Sequence, residues 1–141
     1  MTIYAKLSAT FLLLSISLAQ ACRQRSPEEV EQIIAKSETL SYIDQICKEF
    51  PRPKQFELEK KDFYGNSEMN AVNYKYIAHM PFADVKSFYQ DEGLREKYTL
   101  RVENYSERFI NEIWFKRDDV SINIENRPPS WIVNIGCSKG R

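Results

Sequence analysis

Apolar side chains recur at helical spacing between residues 30 and 47. Val30, Ile33, Ile34, Leu40, Ile43, Ile46 and Cys47 fall on one stripe. Ser26-Pro27-Glu28-Glu29 starts that helix: Ser26 suits the N-cap, Pro27 the first helical position, and Glu29 completes a capping box. Ser37, Thr39 and Ser41 weaken the middle and predict a kink or break near residue 38, and Pro51 and Pro53 stop the helix. Beyond them the pattern alternates. Phe56-Glu57-Leu58-Glu59-Lys60 and Val72-Asn73-Tyr74-Lys75-Tyr76 flank a turn at Tyr64-Gly65-Asn66-Ser67, which predicts a hairpin. Pro81 opens a second helix with Phe82, Val85, Phe88 and Tyr89 on one face, and Gly93 is expected to end it. Four alternating runs follow. They carry Tyr98, Leu100 and Val102; Phe109, Ile113 and Phe115; Val120, Ile122 and Ile124; and Trp131, Val133, Ile135 and Cys137. A tight turn at Asp118-Asp119 joins the middle pair, and Arg127-Pro-Pro-Ser130 is a loop.

The predicted class is α+β: an N-terminal helix, a β-hairpin, a second helix and a four-stranded antiparallel meander, with the helices on one face of the sheet. Length, aromatic content and only four glycines suit one compact domain over residues 27–141.

The first 21 residues obey a different rule. Lys6 is their only charge, Leu7 to Leu18 is a 12-residue apolar run, and Ala19-Gln20-Ala21 is a small-x-small close. These are the parts of a cleavable signal peptide, and the run falls short of the about 20 residues a membrane span needs. Residues 22–26 then form a short tether. Leu18-Ala19-Gln20-Ala21-Cys22 resembles a bacterial lipobox, with Gln20 bulky and Ala19 in place of the more usual Leu. Two outcomes are open: lipid attachment at Cys22, or ordinary cleavage leaving Cys22 as the first residue.

Cysteine parity favours the lipid. An exported chain meets an oxidising compartment, where an odd cysteine calls for an explanation. With Cys22 acylated, Cys47 and Cys137 can pair. Cys47 lies on the stripe of Leu40 and Ile43, and Cys137 is in phase with Val133 and Ile135, so both point to the core. The plainer alternative is two small buried apolar residues. Two acyl chains on the new N-terminus would hold the protein on a membrane stably.

Charge adds little. Removing 21 of 141 residues leaves 120 and takes Lys6 with it, so 20 basic residues become 19 against 20 acidic, a net charge of about −1. That balance predicts neither a polyanion partner nor attraction to a lipid surface, and no basic-aromatic cluster suggests nucleic acid. No cofactor is expected. The single histidine, His79, precedes Pro81 and reads as a helix cap or surface residue. With one histidine, and the cysteines expected to be used elsewhere, no metal site is expected, and Asp118-Asp119 lacks calcium-loop spacing. Nucleophile-elbow, phosphate-loop and Cys-His patterns are absent. Asn104-Tyr105-Ser106 matches a glycosylation sequon, meaningful only in a eukaryotic secretory pathway.

Four apolar residues run out of phase with the core: Tyr105, Ile110, Trp114 and Ile132. On a sheet with one wet face they would form an exposed patch for a protein partner; on a sheet covered on both faces they would be core. The run Ile46-Cys47-Lys48-Glu49-Phe50-Pro51, the strand Phe56-Glu57-Leu58 and the helix Phe82 to Tyr89 are similar to small exported bacterial lipoproteins of an uncharacterised family. The resemblance implies the bacterial cell envelope and supplies no activity or catalytic residue. The expected protein is therefore a non-enzymatic binding or structural module. It would be anchored on the periplasmic side of a membrane through Cys22, or soluble in the periplasm without the lipid. Alternatives are a periplasmic inhibitor or immunity-type protein, and a small hydrolase using dispersed acids.

Overall fold

A computed structural model describes residues 24–105, 110–128 and 130–140. The signal segment, Cys22 and Phe109 lie outside the described residues. Among the described residues four helices and six strands follow in the order α1 (Pro27–Lys36), α2 (Glu38–Glu49), β1 (Glu57–Gly65), β2 (Met69–Ile77), α3 (Phe82–Tyr89), α4 (Glu92–Lys97), β3 (Thr99–Asn104), β4 (Asn111–Arg117), β5 (Val120–Asn126) and β6 (Ile132–Gly140).

The α+β class holds, but the sheet is larger than a four-stranded meander. All six strands form one antiparallel sheet ordered β1-β2-β6-β5-β4-β3. The hairpin joins the meander because β2 pairs with β6 along its whole length, from Met69↔Gly140 to Ile77↔Ile132. That contact between distant segments leaves no trace in local alternation.

Each predicted helix is two. The Ser26 capping box forms as read: Ser26 Oγ accepts from Glu29 N at 3.2 Å, and Glu29 Oε2 accepts from Ser26 N at 2.9 Å. Ser37 ends α1 in extended backbone and caps α2, its Oγ accepting from Leu40 N. Serine competes for helix backbone groups, so the weak middle becomes a break. Further along, α3 stops at Tyr89, four residues before Gly93. Asp91 then caps α4, its Oδ1 accepting from Leu94 N, and Gly93 lies inside that helix rather than ending one.

One face of the sheet carries the core. Ile113, Phe115, Val120, Ile122, Ile124 and Cys137 are fully buried there, with Ile43 of α2 against them. Phe50, just past α2, stacks on Tyr89 at 5.5 Å, takes Tyr98 edge-on at 4.9 Å and meets Phe115 at 5.6 Å. Tyr89 and Tyr98 donate their buried hydroxyls to the carbonyls of Pro51 and Glu49. Cys47 and Cys137 form a disulfide with Cα atoms 5.8 Å apart, joining α2 to the interior strand β6.

Two residues placed with the core by phase lie elsewhere. A bulge between Leu100 and Val102 turns Val102 to the opposite face beside Trp114, half-exposed. Trp131 precedes β6 and is also half-exposed. Leu58 sits opposite buried Tyr76 but is half-exposed on the edge strand β1, and a second bulge between Leu58 and Lys60 shifts the register beyond it.

Candidate functional site: a cationic, aromatic cleft beside the tether

The richest polar chemistry in the described residues gathers where α1 begins, α2 ends and β1 crosses them. Asp44 lies on the inner side of α2, and Lys61 and Tyr74 are cross-strand partners on β1 and β2. The Asp44 carboxylate is buried and accepts three donors: Tyr74 Oη at 2.5 Å, Lys48 Nζ at 2.8 Å and Lys61 Nζ at 3.0 Å. Lys61 also donates to Glu31 of α1 at 2.6 Å, and its side chain is only 8% exposed. Burial alone would raise the Asp44 carboxyl. The hydrogen bonds from Lys48, Tyr74 and Lys61 outweigh it and hold the group below its ordinary value. Burial and the Asp44 carboxylate push the Tyr74 hydroxyl far above its ordinary value, so it remains a donor. The same carboxylate raises Lys48. All three groups are locked in one charge state.

Above this network opens a cleft of about 660 Å³. Its floor is Tyr74, Tyr76 and Phe56, with Leu58 at the rim. Arg25, Lys48, Arg52, Lys60 and Lys61 line it against only Glu31 and Glu59. The lysines are committed, Lys48 and Lys61 to Asp44 and Glu31, and Lys60 to Asp62 at 3.1 Å. Glu59 is committed to Lys75 at 3.0 Å. The two guanidiniums differ. Arg25 lies over the Phe63 ring at 5.1 Å and Arg52 over Tyr76 at 5.6 Å, with one Arg52 Nη also donating to the Lys48 carbonyl at 3.4 Å; neither has a carboxylate of the described residues within ion-pair distance. A net charge near zero concealed this local excess, because opposite signs elsewhere on the surface cancel it.

The four out-of-phase residues are not brought together as one surface. Trp114 lies on the sheet face opposite the core, half-buried, between Val102 and Asn123. Ile132 shares that face beside Ile77, but the polar row Glu112–Glu125–Asn134 separates it from Trp114. Tyr105 packs on Phe82 at 6.4 Å beneath the Lys86 ammonium, at 3.9 Å; chiefly through burial, its hydroxyl is pushed up to about 12. Ile110 is half-buried just before β4. Among the described residues no His, Cys, Asp and Glu side chains group as a metal would need, and no helix is long and apolar enough to cross a membrane. His79 is exposed, with left-handed backbone at φ 53° and its Nε2 2.8 Å from Glu57. It does not cap α3, whose N-cap is Pro81.

Sequence reasoning missed the cleft. Its residues come from four separate segments, and its only local signal was the density of tyrosine and lysine in β1 and β2.

These features define the class as a small disulfide-linked α+β domain with a charged, aromatic-floored cleft. No family model, no curated protein and no solved structure matches the chain.

Proposed function

We propose that the mature chain is a bacterial envelope lipoprotein, anchored through Cys22, that binds a ligand in the Arg25–Arg52 cleft without acting on it chemically. The observation that carries the reading is the division of labour in the cleft. Its ionisable network, Asp44, Tyr74, Lys48 and Lys61, is mutually satisfied, with the Asp44 carboxyl held low and the Tyr74 hydroxyl and Lys48 ammonium held high, whereas Arg25 and Arg52 have no carboxylate partner among the described residues and can meet an incoming anion. A general acid or base needs a group poised near the working pH. The site is also only three residues beyond Cys22. Metabolic labelling with a fatty acid should mark the wild-type chain and be lost in Cys22→Ser; an unlabelled wild-type protein would remove the anchor from this reading.

A second reading, a protein partner or immunity-type role on the open sheet face, is favoured by one observation. Trp114 and half-exposed Val102 pair there next to Asn123, whose Oδ1 is enclosed without a hydrogen-bond partner. On this reading Trp114→Ala abolishes capture of the partner while thermal unfolding stays within a few degrees of wild type. A collapse of the melting temperature would instead assign Trp114 to packing.

A further inference from the structure

From the placement of two arginines that have no carboxylate partner among the described residues, we propose that the cleft is a headgroup site for an anionic phospholipid of the membrane that carries the protein. The inference rests on the lipoprotein reading for its choice of ligand. A fully extended chain spans at most roughly 3.3–3.6 Å per residue, so Arg25 lies within about 10 Å of an acyl anchor on Cys22. Whatever else the cleft meets, it meets headgroups first and at high local concentration.

The chemistry of the cleft matches that ligand at both ends. Guanidinium forks fit phosphate oxygens bidentately, and Arg25 and Arg52 are already oriented by stacking on Phe63 and Tyr76. The carboxylates that would repel an anion are each neutralised: Asp44 and Glu31 by Lys61 and Lys48, and Glu59 by Lys75. Phe56 and the half-exposed Leu58 offer apolar surface beside the charge, which a free inorganic anion would not use. The anchor holds the protein on the bilayer, and the headgroup contact fixes which face of the domain turns toward it.

Sedimentation with vesicles tests this on the processed chain from residue 22 onward. Its Cys22→Ser form has no acyl group, and every helix and strand of the described residues lies within Pro27–Gly140. Binding is expected to phosphatidylglycerol-containing vesicles and not to pure phosphatidylcholine. R25Q/R52Q should weaken it on the order of ten- to thirtyfold, as loss of two interfacial cations implies. Arg101→Gln/Lys116→Gln removes the same charge from β3 and β4 at the far edge of the sheet and should leave binding nearly unchanged. Equal binding to both vesicle types, or equal losses in the two double variants, would overturn the proposal by reducing it to diffuse electrostatics. So would inorganic phosphate binding with the same arginine dependence but no vesicle binding, since the site would then serve a free anion. Because the probe carries no lipid, a negative result here is separate from the labelling result at Cys22.

Discussion

Reduction of the Cys47–Cys137 bond will destabilise the domain by about 4–5 kcal/mol in the chain-entropy model, with real losses often smaller. The bond closes a loop of 90 residues, which holds five of the six strands and the helices α3 and α4. Opening it releases most of the chain in the unfolded ensemble, while the folded state keeps its packing. Against a total of order 5–15 kcal/mol, such a loss separates a folded domain from a marginal one. It falls on the α2–β6 contact, and β6 is the strand that unites hairpin and meander. Denaturant titration of oxidised and reduced wild type measures the effect without changing a side chain. Cys47→Ala/Cys137→Ala should shift the midpoint in the same direction and slightly further, because both sulfurs are buried. Coincident unfolding curves for oxidised and reduced protein would show that the bond contributes nothing.

Asp44→Ala should cost about 3–5 kcal/mol, the range for breaking a buried ion pair from one side. The substitution strands two partners. The buried Lys61 ammonium keeps only Glu31, and the Tyr74 hydroxyl loses its acceptor. Removing the charges together should hurt far less: Asp44→Leu/Lys61→Met is expected to recover most of the loss, since apolar packing replaces buried pairs at little net cost. If the double variant is as unstable as the sum of the single ones, the network is not a coupled unit.

The same group sets an acid limb. The Asp44 carboxyl is held below its ordinary value of 3.8 when folded. Its contribution is therefore complete above that value and is lost as pH falls through the lower folded one. Asp44→Asn should flatten this limb in melting temperature against pH. Lys48 and Tyr74 are raised, so their contributions are complete below 10.5 and 10.0 and decline as pH rises further.

Local signals marked α1 well. Its capping box involves residues three apart, and no tertiary contact is needed to form it. Alternation likewise assigned Ile113, Phe115, Ile122, Ile124, Val133 and Ile135 to one buried face. It failed at Val102, where a bulge changes the phase without changing composition, and at Trp131, which lies just before β6 and is half-exposed. The cleft was illegible for a stronger reason. Arg25, Arg52, Lys61 and Tyr74 become neighbours only after α1 and α2 fold back across the hairpin, and a charge count averages over that geometry.

By itself the sequence determined the starts of α1 and α3, the alternation of buried and exposed residues in most of the strands, and the inward phase of Cys47 and Cys137. These are properties of neighbouring residues, governed by backbone hydrogen bonding and side-chain period. Only the tertiary structure decided that hairpin and meander are one sheet, that Lys61 and Asp44 share a buried ion pair, and that, among the described residues, two arginines have no carboxylate partner beside a tyrosine-lined cleft. Those outcomes depend on which distant segments meet, and that is settled by the burial of one continuous apolar face.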